Sequence, residues 1–148
     1  MNRIIHAGIL LIFTLFIFIT ACENELLNPA EDNSVLEGEW TVEEQSETYK
    51  SKKSSYRVYI SVSEEDSTVI EISNFYLLGY EDSRISGKVD GKRIELFKNQ
   101  TIDTEGVTYN VVSGTGVIAS DYRSIEWEYK VDDGSGIVDN VTASYVKI

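Results

Sequence analysis

The chain has 148 residues but only one cysteine, one proline and one histidine. The lone Cys22 has no partner, so no disulfide can close within the chain. The one proline, Pro29, leaves everything after it free of that breaker. Cations are scarce as well: 13 Lys and Arg stand against 25 Asp and Glu, for a formal charge of −12. Such a surface favours solubility and repels nucleic acid and anionic membrane, and no basic stripe offers a DNA or RNA footprint. A long apolar run is missing too. Ala7 to Ala21 carries no charge over fifteen residues, short of the roughly 20 that a helix needs to cross a bilayer.

What stands at the amino terminus is the layout of a removable leader. Arg3 precedes the apolar run and the small Ala21 follows it, as in a secretory signal peptide. Ile19-Thr20-Ala21-Cys22 resembles the bacterial lipobox. That resemblance implies cleavage after residue 21 and lipid attachment at Cys22, two or three acyl chains being needed for stable anchoring. The alternatives are a plain signal peptide with an incidental cysteine and a retained signal anchor. Glu23 and Glu25, flanking Asn24, partly match the acidic surface-export signals of some Gram-negative lipoproteins. The implied address is the bacterial outer membrane, with its periplasmic and surface faces both open. Residues 1–21 thus read as a lipoprotein signal peptide, 22–35 as a flexible polar tether, and 36–148 as one folded domain.

Cleavage would also remove chemistry. His6 leaves with the leader and Cys22 is consumed by lipid, so Ser-His-Asp and Cys-His catalysis close, as do zinc sites built on His or Cys. Glu126 and Glu128 form a carboxylate pair, but they lie opposite Trp127 on a strand and read as solvated. The loop Asp132–Asp139 gathers three carboxylates around two glycines without the spacing of a calcium loop, and reads as a hairpin turn. No catalytic residue, cofactor or metal is expected.

From Leu36 onward the apolar period is two. Val58, Ile60 and Val62 alternate with Arg57, Tyr59 and Ser61, and Ile125, Trp127, Tyr129 and Val131 alternate with charged residues. That pattern marks strands with one wet face. Eight segments follow it: about 37–46, 56–63, 68–76, 83–89, 92–98, 107–119, 123–132 and 140–148. Asp90-Gly91 is the strongest hairpin signal, read as a two-residue turn with both central residues at positive φ. No stretch carries a convincing helical stripe. Eight short strands on short connections predict an all-β fold, an eight-stranded antiparallel up-and-down β-barrel, since closure removes exposed edges. A β-sandwich is the second choice. The inward set runs from Trp40 and Val42 through Val58, Ile60, Ile70, Ile72, Ile85 and Leu96 to Ile125, Trp127 and Tyr129, almost wholly apolar and mostly packed.

Two short motifs carry a family resemblance. Gly38-x-Trp40 in the first strand resembles the first lipocalin motif, and Asp121 and Tyr122 in "SDYR" resemble the Thr-Asp-Tyr motif between the sixth and seventh strands. The resemblance, covering 36–148, implies a barrel whose glycine bends the first strand and whose tryptophan plugs the closed end. No arginine follows Arg123, so the family's arginine across that tryptophan is missing, and no segment remains for a terminal helix. The better match is to small lipocalin-like (calycin-type) bacterial lipoproteins of unassigned role.

One patch opposes the overall acidity. Tyr49, Lys50, Lys52, Lys53, Tyr56 and Arg57 place four cations among aromatic rings, and in lipocalins that first connection lies over the open mouth. These residues are the candidate ligand or partner contacts. The functional expectation is a non-catalytic envelope lipoprotein, anchored to the membrane by its lipid, that binds a small apolar or amphipathic ligand. The alternative is a protein–protein interaction module with a packed barrel, an accessory subunit of a surface complex or an inhibitor of a basic enzyme.

Overall fold

The computed structural model describes residues 32–49, 53–80 and 83–148. The leader and Cys22, together with Lys50 and Lys52 of the basic patch, lie outside the described residues. Among the described residues nine antiparallel strands form one sheet: β1 (Gly38–Ser46), β2 (Lys53–Val62), β3 (Val69–Ser73), β4 (Ile85–Asp90), β5 (Arg93–Leu96), β6 (Gln100–Thr104), β7 (Val107–Ile118), β8 (Ser124–Asp132) and β9 (Val138–Lys147). Every strand pairs with its neighbours in sequence except β5 and β6, which do not pair with each other; β9 returns to β1, and β5 pairs with β7. The last pairing closes an eight-stranded barrel of β1–β5 and β7–β9, compatible with a lipocalin-like fold.

The ninth strand, β6, is the departure from the expected count. Its sequence, Gln-Thr-Ile-Asp-Thr, has one apolar residue and too few alternations to stand out from a loop. It extends the sheet along the first half of β7, while β5 holds the second half. Where the chain leaves β5, the Gln100 side chain takes over the lost pairing. It accepts from Ser86 N at 2.6 Å and donates to Ser86 O at 2.8 Å, so the backbone of β4 stays satisfied. The β4–β5 turn also differs in detail. Asp90 pairs with Arg93, so the central residues are Gly91 and Lys92, and of these only Gly91 is at positive φ. Glycine in the first central position is the other favoured hairpin choice.

The two ends of the barrel are built differently. At one, the 3-10 turn Asn33–Leu36 folds beneath the sheet and Trp40, fully buried, donates its indole N–H to Leu36 O at 2.9 Å. Gly38 enters β1 at φ 125, a backbone bend that a side chain would oppose. Lys147 of β9 lies over the Trp40 ring with Nζ 5.6 Å from its centroid and donates to Val35 O. A lysine from the last strand therefore supplies the cation for which the sequence offers no arginine. Asp121 accepts from Arg123 N and so tightens the β7–β8 turn, which presents Tyr122, at φ 59, to Lys92, whose Nζ sits 2.7 Å from the ring centroid.

The interior is filled by side chains. Trp40, Trp127, Tyr129, Tyr145 and Phe75 are among its largest fully buried residues. Glycine makes this packing possible on β7. A Cβ on Gly114 would lie 2.5 Å from Leu96 Cδ1 and 2.9 Å from Tyr129 Cβ, and one on Gly116 would meet the Trp127 ring at 3.0 Å. The slim "SGTG" stretch therefore admits the protein's own core residues.

Candidate functional site

The inward face of β1 reads Trp40, Val42, Glu44, Ser46, so its second half is polar. The inward face of β9 begins at Asp139, and that of β2 at Tyr56. Strand alternation thus carries two carboxylates into the barrel at the end away from Trp40, and the expectation of an almost wholly apolar interior fails there. Glu44 is 6% exposed and Asp139 2%.

Both carboxylates are met by hydroxyls. Glu44 Oε2 accepts from Tyr56 at 2.5 Å and from Tyr129, which reaches across from β8. Asp139 accepts from Ser46 Oγ at 2.6 Å and from Tyr76 at 2.7 Å through its two oxygens. Burial, with the nearby Tyr145 and Glu44 adding, pushes the Tyr56 phenol far above the usual tyrosine range. Burial does the same for Tyr129 and Tyr145, and for Tyr76, where the hydrogen bond to Asp139 adds. All four phenols stay protonated at neutral pH. The Tyr145 hydroxyl is fully buried and senses Glu44, yet its approach to Tyr56 falls short of bonding geometry and it has no hydrogen-bond partner.

This end, expected to be an open mouth under the first connection, is closed by the connection after β3. The 3-10 turn Phe75–Leu77 drops Phe75 and Tyr76 into the barrel, both buried. Phe75 packs on Tyr129 with ring centroids 4.7 Å apart, and Tyr76 on Tyr109 at 6.2 Å. To make this plug the backbone takes positive φ at Asn74 (61°), Tyr76 (56°) and Leu77 (61°). Left-handed geometry costs about 1–2 kcal/mol per non-glycine residue. Asn74 holds the loop by donating to Arg57 O at 2.7 Å and accepting from Gly79 N at 2.8 Å.

Of the contact residues expected from the sequence, the four that are described, Tyr49, Lys53, Tyr56 and Arg57, do not converge. Tyr56 points inward to Glu44, whereas Lys53 and Arg57 point outward from β2, and Arg57 pairs with Glu39 at 3.4 Å. Tyr49 is exposed and donates its backbone N–H to Ser46 Oγ. Glu126 and Glu128 face solvent as expected. In the β8–β9 turn, Asp132 and Asp133 accept from Gly134 N and Ser135 N, while Asp139 turns into the core. Among the described residues no group of three or more His, Cys, Asp or Glu is placed to hold a metal.

The outer face carries two adjoining grooves, of about 320 and 600 Å³, that share Thr115, Glu128 and Thr142. Cross-strand register sets Glu95, Thr115, Glu128, Thr142 and Gln45 in one row, and Val117, Glu126, Ser144 and Glu43 in the next. The result is a hydroxyl-lined surface of mixed charge, on which Glu43, Glu95, Glu126 and Glu128 are joined by Lys53, Arg93, Lys98 and Lys130.

Searched against protein-family models and against curated protein sequences, the chain matches none.

Proposed function

We propose that this chain is a non-catalytic binding protein of the bacterial envelope, a lipocalin-like lipoprotein held to the outer membrane by acyl chains on Cys22, and that it takes a small amphipathic ligand at the Tyr76 end of its barrel. The observation that carries this reading is the difference between the ends. The Trp40 end is sealed by Leu36, Trp40 and Tyr122 under two lysines. The Tyr76 end is closed by two side chains on a left-handed turn above a polar interior. Fixed polar groups beneath apolar walls are the composition that small-ligand sites use. The non-catalytic part of the proposal is supported by the side chains left after leader cleavage, which include no histidine and no free thiol.

Thermal unfolding of the full chain against a panel of fatty acids, sterols and amphipathic amines tests this. A true ligand raises the midpoint with concentration, by about 2.7 kcal/mol of stability at a hundredfold excess over Kd. No rise with any member contradicts small-ligand binding. The anchor has its own test: Cys22→Ser is expected to move the protein from the membrane to the soluble fraction, and unchanged membrane fractionation contradicts lipidation.

The exposed carboxylates of the outer grooves favour a second reading, an interaction module that docks a protein partner through Glu43, Glu95, Glu126 and Glu128, with basic groups of the partner meeting them. Its signature is partner binding that weakens steeply with salt and with charge reversal at Glu126 and Glu128, with no dependence on the plug.

A further inference from the structure

The Tyr76 end holds two buried carboxylates, and among the described residues no cation meets them. The ion pairs among the described residues are Arg57–Glu39 and Arg84–Glu71, all four side chains partly exposed to solvent. Burying a carboxylate is costly unless a cation or a full set of donors compensates. Glu44 and Asp139 receive only neutral hydroxyl protons. A separate observation is the Tyr145 hydroxyl, fully buried beside Glu44 and left without a partner. A polar interior with an unused hydroxyl is unfinished as a core and complete as a recognition surface.

The ring-bearing side chains around it are Tyr56, Tyr76, Tyr129 and Phe75. Carboxylates supply charge-assisted hydrogen bonds to an N–H donor, and aromatic faces attract the same cation. We infer that Glu44 and Asp139, walled by these rings, form a binding site for a small organic ammonium ion, which Phe75 and Tyr76 fill in the closed state. Phe75 stands in for the ligand's apolar body, and the Tyr76 hydroxyl, donating to Asp139, stands in for its N–H. Displacing the plug releases the left-handed strain at Asn74, Tyr76 and Leu77, which offsets part of the lost burial. This assignment rests on ligand binding at the Tyr76 end and adds the charge of the ligand to it.

Phenethylammonium, phenethyl alcohol and phenylacetate share a ring and differ in charge, and calorimetric titration of the full-chain Phe75→Ala variant with each tests the inference. The ammonium is expected to bind about tenfold or more tightly than the alcohol, and the acid more weakly than either. Adding Glu44→Gln is expected to abolish the preference for the ammonium while leaving the alcohol's affinity in place. Equal affinity for ammonium and alcohol, or a preference that survives both Glu44→Gln and Asp139→Asn, overturns the cation assignment and leaves binding at this end standing. Binding of none of the three overturns both. If Phe75→Ala does not fold, the unaltered protein carries the comparison through amide shifts of residues 74–80. Shifts with the ammonium and not the alcohol support the inference, and equal or absent shifts overturn it.

Discussion

Tyr129 on β8 donates its phenolic proton to the carboxylate of Glu44 on β1, across 85 residues of sequence and past the intervening strand β9. Tyr56 donates to the same oxygen from the other side. One glutamate thus ties β1, β2 and β8 together at the level where the core changes from apolar to polar. Removing Glu44 leaves two phenols without an acceptor, at about 1–3 kcal/mol each. Glu44→Ala is expected to lower stability in urea by about 3–5 kcal/mol, cavity cost included. Tyr129→Phe is expected to cost about 1–3 kcal/mol. In a double-mutant cycle the two changes should be strongly coupled, and additive losses would show that the contact carries no stability.

How far this site was legible turns on particular residues. The period-two pattern gave the strand positions from β1 to β9 within a few residues, β6 excepted, and put Trp40, Val42 and Trp127 inside. The same parity, carried two and four residues past Val42, places Glu44 and Ser46 inside as well. Reading back from Tyr145 likewise places Asp139 inward. The signal was present, and what masked it was the expectation that carboxylates face water, which yields when several hydroxyls converge on one. The plug was not legible. Nothing in "SNFYLLG" announces positive φ at Tyr76 and Leu77, because that geometry is imposed by the burial of Phe75 and Tyr76 and by the Asn74 hydrogen bonds. The role of Lys147 over Trp40 was hidden for another reason, since it depends on β9 pairing with β1.

The buried phenols set the alkaline limit of the fold. The folded-state values of Tyr56, Tyr76, Tyr129 and Tyr145 are raised above that of a free tyrosine. Their contribution is therefore complete below about pH 10, where unfolded tyrosine titrates, and is lost as pH rises beyond it. Of the nine tyrosines in the chain, these four should give phenolate absorbance only together with loss of the β circular dichroism. Phenolate absorbance from all nine in a still-folded protein would contradict their burial.

Gly114 tests the filled interior from the opposite direction. An added methyl collides with Leu96 and with Tyr129 Cβ, so Gly114→Ala is expected to destabilise the protein by about 1–3 kcal/mol. Leu96→Ala in the same chain should recover part of that loss by making room. A neutral Gly114→Ala would mean that the barrel holds free space at this level.

The central claim is that the barrel has one sealed end and one end that opens, and native-state hydrogen exchange measures both in a single experiment. Amides of residues 74–80 are expected to exchange through a local opening well below the free energy of global unfolding. The amides of Trp40, Thr41 and Val146 at the sealed end should exchange only when the whole molecule unfolds. Equal protection at the two ends, with the plug as slow as β1, would contradict the account.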